Sequence, residues 1–221
     1  MNTARFRAAT AEDADFLAEG VRIAERIPAT DDLTVYEAVF GFTREELDRF
    51  LASTLGEEGG DYPLTFGTFF VLEREGIPVA CCAGWVEAVH GLPSGHLTAM
   101  QISRFLGTKR WRERAQFIRA LAASAPARSP MALQLESFYT APQFRGRGST
   151  RRLIEGVLGV LAAGEGSPRT AEISLLVENR PAAGAYAKAG FEPVWTTPLV
   201  DGLFREVTGS RGFLQLRRLL G

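Results

Sequence analysis

The stretch of sequence that decides the fold runs from Leu133 to Ile154 and reads LQLESFYTAPQFRGRGSTRRLI. Its first part predicts a strand over Leu133 to Thr140, which Ala141-Pro142 ends. Two glycines follow, and the pattern then predicts a helix from about Ser149 to Ala163. Such a turn leaves the N–H groups of the first helical turn without partners, at the positive end of the helix dipole. It therefore favours a bound phosphate or pyrophosphate.

The glycine-rich loop has the composition that an anion site needs. Gly146 and Gly148 have no Cβ, so a ligand can approach the backbone closely. The arginines that surround the turn with positive charge are Arg145, Arg147, Arg151 and Arg152. The spacing matches neither the P-loop nor the dinucleotide fingerprint. The chemistry of the loop favours a phosphate-bearing ligand over the alternative, a plain surface turn.

The rest of the chain alternates between helices and strands around this loop. A strand near Phe6 leads into a helix that Thr10 caps and Pro28 ends, and a capping box at Thr43–Glu46 opens a second helix. The later elements are a hairpin of Phe66 to Arg74 and Ile77 to Val86, a strand over Ile173 to Val177, a helix over Pro181 to Ala189 and a strand over Phe213 to Leu219. Neither a repeat nor a linker divides the sequence, which predicts a single domain over residues 1–221.

Residues 88–130 separate the hairpin from the strand at Leu133, and we interpret them as a helical insertion into a smaller fold. Helices are predicted over Leu97 to Leu106 and over Lys109 to Ala123. The basic residues of the second helix are Lys109, Arg110, Arg112, Arg114 and Arg119, against the single acid Glu113. A solvated basic face is one interpretation of this helix, and an anion-binding role is the other.

Composition and charge exclude several classes of protein. The chain has 221 residues, of which 46% are hydrophobic, and its net charge is −1, so electrostatic attraction to nucleic acid is not expected. Cys81 and Cys82 are adjacent, which suits neither a disulfide framework nor a zinc site, and we interpret them as packing residues. The two histidines, His90 and His96, are predicted to lie in a loop and are too few for a His-rich metal site. No segment predicts a signal peptide or a membrane span, so we expect a cytoplasmic protein with no membrane partner.

Residues 142–148 resemble the acetyl-CoA-binding motif of the GNAT superfamily of N-acetyltransferases. That motif reads Arg/Gln-x-x-Gly-x-Gly/Ala and usually follows Pro-x-Tyr/Phe. In the register that Pro142 and Phe144 set, Arg145 and Gly148 match, and Thr150 replaces the last small residue. The hydroxyl of Thr150 would either tune or weaken cofactor binding.

The letters of the motif also fit an earlier register, as Gln143, Gly146 and Gly148. We prefer the later register because Leu153 then falls where the family has a buried helix leucine. A second block agrees with the first: Leu175, Asn179, Tyr186 and Gly190-Phe191 are spaced like the strand–helix–strand ending of the same superfamily. The resemblance covers nearly the whole chain apart from residues 88–130. It implies an α/β (α+β) fold with a mixed, mostly antiparallel central sheet flanked by helices.

The resemblance implies direct transfer of an acetyl group from acetyl-CoA, as co-substrate, to an amine, without a metal or a covalent enzyme intermediate. The strand before the loop is expected to splay from its neighbour and to bind the pantetheine arm through free backbone groups. The implied cofactor contacts are Phe138, Tyr139 and Thr140 of the strand, Arg145, Gly146, Arg147, Gly148, Ser149, Thr150 and Arg151 of the loop, and Asn179 and Tyr186.

Two side chains are candidates for proton transfer. An amine with a lysine-like pKa of ~10.4 arrives as an ammonium and must lose a proton before it attacks. Gln134 and Glu136 lie on one face of the strand, where some members of the superfamily carry a base, and Glu136 can act as one. The alternative is that Glu136 pairs with an arginine.

Tyr186 is at the family's usual general-acid position, and the alternative there is a core tyrosine. Asn179 either orients the pantetheine or caps the following helix. The acceptor stays open, because superfamily members acetylate antibiotics, polyamines, amino acids, peptide N-termini and protein lysines. Residues 29–65 and 88–130 are expected to build its pocket.

The expected partner is therefore an amine-bearing acceptor, not a nucleic acid or a membrane, and a homodimer is left open. The alternative function is an acyl-CoA-binding regulatory or catalytically degenerate module, which Thr150 and the open assignment of the base motivate. An RNA-binding module, suggested by the local arginines alone, ranks below both.

Overall fold

The computed structural model describes residues 4–30, 32–56, 63–89, 91–164 and 166–221. Its strands are β1 Arg5–Ala8, β2 Phe69–Arg74, β3 Ile77–Val86, β4 Leu133–Thr140, β5 Thr170–Leu176, β6 Glu192–Thr196 and β7 Phe213–Leu219. Its helices are α1 Ala14–Ala24, a short π-helix Tyr36–Phe40, α2 Arg44–Leu55, α3 Ser94–Glu113, α4 Ala115–Ser124, α5 Ser149–Leu161, α6 Arg180–Ala187 and α7 Gly202–Thr208.

The strands of the described chain form one sheet in the order β1-β2-β3-β4-β5-β7-β6. Neighbouring strands are antiparallel throughout, except β4 and β5, which run parallel. Helices cover both faces of this sheet. The predicted fold class, a mixed and mostly antiparallel sheet flanked by helices, is confirmed.

The parallel pair β4 and β5 separates soon after it begins. Leu133 pairs with Ala171 and Gln134 with Glu172, and the pairing ends there. Ser137 forms a bulge with φ +52°, because Ala83 of β3 pairs with Glu136 while Cys81 pairs with Tyr139. The two strands therefore leave a gap between them, which we call the splay, as the sequence analysis expects for the strand before the loop.

The two faces of the sheet bury different sets of side chains. On one face, Leu133 and Leu135 of β4 pack with Leu153 and its neighbours on α5. On the other face, α1, α2, α3 and the π-helix form a second cluster. Because successive strand residues point to opposite faces, Gln134 and Glu136 point toward the α1 side. The polar residues of β4 thus share a face with α1.

Helix α1 lies against β4 at a glycine. A Cβ built at Gly20 would lie 2.7 Å from Sγ of Cys81 and 3.3 Å from Cβ of Tyr139. Just beyond the helix, Ile27 packs in a buried cluster with Leu176 of β5. The chain therefore crosses from β4 to β5 near the end of α1, over the splay.

Residues 88–130 contain two helices, as predicted, but the helix boundaries differ. The predicted break lies at Gly107 (φ +77°, ψ 160°), yet α3 resumes to Glu113 and the next interruption comes at Arg114. Part of its basic face turns inward. Arg110 donates to the carbonyl of Gly41 at 2.7 Å, and Arg114 donates to Val39 at 2.9 Å. These two arginines fasten the segment to the π-helix region, a role that neither interpretation of the basic face includes.

The sequence analysis gives no residue range for the π-helix, β6 or α7, although the ending implied by the resemblance includes a strand after Phe191. All three are short, and β6 is an exposed edge strand with little alternation in burial. Helix α7 has 7 residues, and its start is marked by the Asp201 side chain, which accepts from the N–H groups of Leu203 and Phe204. Elements of this length have too few residues to show a hydrophobic period.

Candidate active site

The loop between β4 and α5 holds two glycines in left-handed conformations. Gly146 has φ +73°, and Gly148, which precedes α5, has φ +77°. In the described chain, the backbone N–H groups of residues 146–151 have no hydrogen-bond partner, and no side chain caps the helix. Nothing lies within 4 Å of the Cβ position of either glycine. The loop therefore presents a row of free donors to open space, which fits a phosphate group.

The arginines of this loop are held in different ways. Arg145 donates from Nε to the carbonyl of the last residue of β4 at 3.1 Å, and Arg152 donates to the carbonyl that precedes β1. The guanidinium of Arg147 lies 5.7 Å from the centroid of the Phe144 ring. Arg151 is exposed and has no partner among the described residues. Arg145 and Arg152 brace the loop, which leaves Arg151 able to turn onto a bound anion.

The first turn of α5 carries the residues that the motif predicts next. Ser149 and Thr150 are half-buried there, and Leu153 is fully buried against the sheet. Thr150 thus stands within the turn that supplies the free N–H groups.

Beyond the bulge, successive side chains of β4 point to opposite faces of the sheet, Phe138 toward the α5 side and Tyr139 toward the α1 side. The ring of Phe138 lies 5.2 Å from the ring of Tyr186, measured between centroids. Tyr139 points to the α1 side, where its hydroxyl donates to Oε1 of Glu19 at 2.8 Å. Thr140 is half-buried at the strand end. From residue 135 onward, the edge of β4 toward β5 pairs with no described strand, so its backbone groups are available to a ligand.

Tyr186 is buried on α6, beside the splay. Burial raises the pKa of its phenol, and the neighbouring Cys82 thiol adds to the effect, so the phenol stays protonated at neutral pH. Its hydroxyl makes no hydrogen bond within the described chain. The Tyr186 side chain is 7% exposed. A proton held on this oxygen is available for donation.

Asn179 caps α6. Its Oδ1 accepts from the N–H of Ala182 at 3.3 Å. Of the two roles that the sequence analysis left open, capping is observed. Contact with pantetheine stays a prediction, and it would use the Asn179 side-chain NH₂ group, which the cap does not occupy.

Glu136 forms an ion pair with Arg128, which is the alternative that the sequence analysis named. Arg128 also donates to Oγ of Ser94 at 2.6 Å, and its guanidinium lies 5.2 Å from the Trp85 ring centroid. Burial opposes the charge of Arg128, but Glu136 and then Glu87 outweigh it, and the arginine pKa is raised. The Glu136 side chain is therefore held in place by Arg128.

Sequence reasoning missed Glu25, which follows α1 directly. It is half-buried, and its carboxylate has no hydrogen bond or ion pair with the described residues. Burial raises its pKa to about 7, Glu136 adds to the rise, and Arg128 opposes it. Tyr36 of the π-helix is in the same environment, and its pKa is raised by burial, by Glu25 and by Glu136. A charged residue at a helix end gives no sequence signal of such a position, because packing alone brings it to Glu136.

The cysteines and histidines are further candidates in the sequence. Cys81 and Cys82 are fully buried in β3, and burial raises both thiol pKa values, which fits the packing role. His96 lies on α3, while His90 lies outside the described residues. Across the described ranges, no group of three His, Cys, Asp or Glu side chains is placed to hold a metal ion. None of the described helices is long and apolar enough to cross a membrane.

Comparison with known proteins identifies the family. The model of the acetyltransferase (GNAT) family matches residues 35–191, and the chain therefore belongs to this family. None of the curated proteins matches the chain by sequence.

Solved structures share the fold at low sequence identity. An N-acetyltransferase from Staphylococcus aureus Mu50 aligns with a TM-score of 0.59 and 16% identity, over 97% of this chain and 100% of that one. Another structure, described as an acetyltransferase, aligns with a TM-score of 0.59 and 17% identity over 98% and 100%. The protein yncA from Salmonella typhimurium, assigned as an acetyltransferase and solved with its cofactor acetyl-CoA, aligns with a TM-score of 0.52 and 14% identity over 100% and 95%.

Proposed function

We propose that this chain transfers an acetyl group from acetyl-CoA to an amine acceptor. The observation that carries the proposal is the row of unpartnered N–H groups at residues 146–151, at the end of the sheet where β4 and β5 have separated. The open space over Gly146 and Gly148 fits a ligand that approaches the main chain closely. Family membership and the structural neighbour with acetyl-CoA support the choice of ligand.

In this proposal, the loop of residues 146–151 and the free edge of β4 bind different parts of acetyl-CoA. Acetyl-CoA would supply a thioester whose carbonyl carbon accepts the amine. Residues 146–151 would hold its diphosphate, and the unpaired edge of β4 beyond residue 135 would hold the pantetheine arm. A backbone N–H aimed at the developing oxyanion would stabilise the transition state by ~3 kcal/mol. Anchoring at the loop also positions the reactive end, which lowers the entropic part of the barrier.

Tyr186 is the proposed general acid. Its phenol stays protonated because burial raises its pKa, and its oxygen makes no competing hydrogen bond in the described chain. The ring contact with Phe138 ties the phenol to β4, the strand that holds the pantetheine in this proposal. Tyr186 would donate its proton to the leaving sulfur, which gains stability on protonation.

The charges on the α1 side of the splay favour a cationic acceptor. Glu25, Glu136 and Glu87 all influence the ionisation of Arg128, which is the cation among them. Three acidic side chains face one guanidinium, which gives the cleft a negative balance when Glu25 is ionised. An ammonium group is attracted by such a balance, whereas a carboxylate substrate is repelled.

Thermal unfolding with and without acetyl-CoA tests the proposal, followed by detection of free thiol with a panel of amines. A ligand that binds the folded state raises the melting temperature, by an amount that grows with its concentration. We expect a rise with acetyl-CoA, and thiol release with at least one polyamine, aminoglycoside, amino acid or peptide. A rise without thiol release across the panel would instead identify an acyl-CoA-binding module. No rise would overturn the proposed function.

A further inference from the structure

We infer that Glu25 is the group that takes the proton from the acceptor amine, and that Glu136 is a positioning residue held by Arg128. The inference rests on the proposed function, and it assigns to α1 a catalytic step that the sequence motifs place on β4. The argument uses the position of Glu25, its lack of partners and the charges around it.

The path of α1 places Glu25 over the splay. Gly20 contacts Tyr139 of β4, and Ile27 packs with Leu176 of β5, so the intervening residues cross between the two strands. Between these two contacts the chain passes Glu25, whose carboxyl interacts electrostatically with Glu136 of β4 and with Arg128. The carboxylate therefore lies where the strands have separated and where the thioester would be held.

Two polar groups beside the splay have no partner among the described residues. Glu25 has none among the described residues. Ser174 follows Glu172 by one strand step, as Glu136 follows Gln134, so the two stand on the same face across the splay. The Ser174 hydroxyl is enclosed and unpartnered. Buried polar groups are normally paired, and these unpaired ones mark the place of a polar ligand.

The charged and titratable groups around Glu25 determine its proton affinity. They are Glu136 from β4, Arg128 from the segment before β4, and Tyr36 from the π-helix. Arg26 beside it is engaged with Asp32 at 2.6 Å.

Two further charged side chains nearby, Glu87 and Arg22, are directed elsewhere. Glu87 accepts from Ser94 and from Trp85, and Arg22 faces the groove between α1 and α2. Arg128 binds Glu136 directly, whereas Glu25 has no such partner among the described residues, and burial raises the pKa of Glu25. A carboxylate with a pKa of about 7 accepts a proton and returns it to solvent at neutral pH.

The proposed transfer accounts for every proton, bond and charge. Glu25 takes one proton from the ammonium, which frees the nitrogen lone pair to form the C–N bond. The C–S bond breaks with its electron pair on sulfur, and the sulfur takes the proton of Tyr186. Tyr186 regains a proton from the nitrogen, whose positive charge is thereby lost, and Glu25 releases its proton to solvent. The net products are the amide, the free thiol and one proton.

The dependence of kcat/KM on pH tests the inference in wild type, Glu25→Gln and Glu136→Gln. Because the base must be ionised, we expect wild-type kcat/KM to fall as the pH drops below about 7. Glu25→Gln should lower kcat/KM at pH 7.5 by roughly 10²-fold. It should also remove the fall in kcat/KM below pH 7, which we call the acid limb of the profile. Glu136→Gln should keep the limb and move it to lower pH, because Glu25 loses a neighbouring negative charge and faces an unpaired Arg128. Asp15→Asn, an exposed acid on the same helix, should leave the profile unchanged.

A carboxylate titration followed by ¹³C NMR gives a readout without acetyl-CoA. We expect one glutamate of the free protein to titrate near pH 7, and its signal to be absent in Glu25→Gln. An acid limb that persists in Glu25→Gln and vanishes in Glu136→Gln would transfer the role to Glu136. A wild type without thiol release or thermal stabilisation would overturn the proposed function and the base assignment together, whereas an active wild type with an unchanged Glu25→Gln profile would overturn the assignment alone.

Discussion

Gln134 donates a hydrogen bond from Nε2 to Oε2 of Glu172, 2.9 Å away, at the level where β4 and β5 are still paired. Glu172 is fully buried and also accepts from Ser129 and from Arg217 at 2.7 Å. Burial opposes ionisation of this carboxyl, but these donors outweigh it, and its pKa lies below the usual range. The carboxylate thus ties the central strands together just before they separate.

We predict that Glu172→Gln lowers the free energy of unfolding by about 2–3 kcal/mol, because charged hydrogen bonds are lost and Arg217 loses its partner. Urea unfolding measures the change. The matched control is Glu155→Gln, which removes an exposed ion pair with Arg218 and should change the stability by less than about 0.5 kcal/mol. Equal losses in the two variants would contradict the anchoring role of Glu172.

The contribution of Glu172 should also depend on pH. A carboxyl whose pKa is lower in the folded state stabilises the protein above its unfolded pKa of 4.5, and this stabilisation is lost as the pH falls through the lower folded value. We therefore expect the stability difference between wild type and Glu172→Gln to be constant at neutral pH and to shrink below about pH 4.5. Unfolding curves measured between pH 7 and pH 3 would show this, and a difference that grows on acidification would contradict it.

Replacement of Gly148 by valine should abolish the rise in melting temperature that acetyl-CoA produces. The valine side chain would enter the open space next to the free N–H groups, and the φ of +77° is strained for any residue with a Cβ. Thermal unfolding with acetyl-CoA measures the effect. Gly159→Val is the control, since Gly159 is exposed on the same helix with nothing within 4 Å of its Cβ position. An undiminished shift in Gly148→Val would reject the phosphate loop.

The parts of the site that local sequence determines were predictable. The strand over Leu133–Thr140 and the two glycines lie together in one stretch, and the turn chemistry that links them depends on neighbours in sequence. Asn179 was recognised as a candidate cap because it precedes α6. For these residues, the chemistry follows from the element they belong to.

The acceptor side could not be predicted, because contacts between distant segments create it. Glu25 reaches the splay through the packing of Gly20 on β4, and Arg128 reaches Glu136 from the end of the insertion. Nothing in the sequence around Arg110 and Arg114 distinguishes them from solvated arginines, yet both donate to carbonyls about seventy residues away. Patterns of hydrophobic residues give the face of a helix but not the neighbour that the face meets.

Arg114→Ala should weaken binding of the acceptor without changing the affinity for acetyl-CoA. Arg114 donates to the carbonyls of Ala38 and Val39 and thereby holds the π-helix that carries Tyr36. Without it we expect the KM for the acceptor to rise roughly tenfold and the unfolding free energy to fall by about 1–3 kcal/mol. Initial rates at saturating acetyl-CoA measure the first effect. Arg112→Ala, at an exposed position near the end of α3, is the control and should change neither value.

Tyr186→Phe should lower the rate of acetyl transfer without changing the affinity for acetyl-CoA. The substitution keeps the ring contact with Phe138 and removes only the hydroxyl, which has no hydrogen bond in the described chain. Packing and cofactor affinity should therefore be nearly unchanged, so the melting-temperature rise with acetyl-CoA should match that of wild type. The transfer rate should fall by roughly 10²-fold, because the leaving sulfur loses its proton donor. Thiol release under saturating substrates measures that rate, and wild-type turnover in Tyr186→Phe would remove the general-acid role and leave Tyr186 as a core residue.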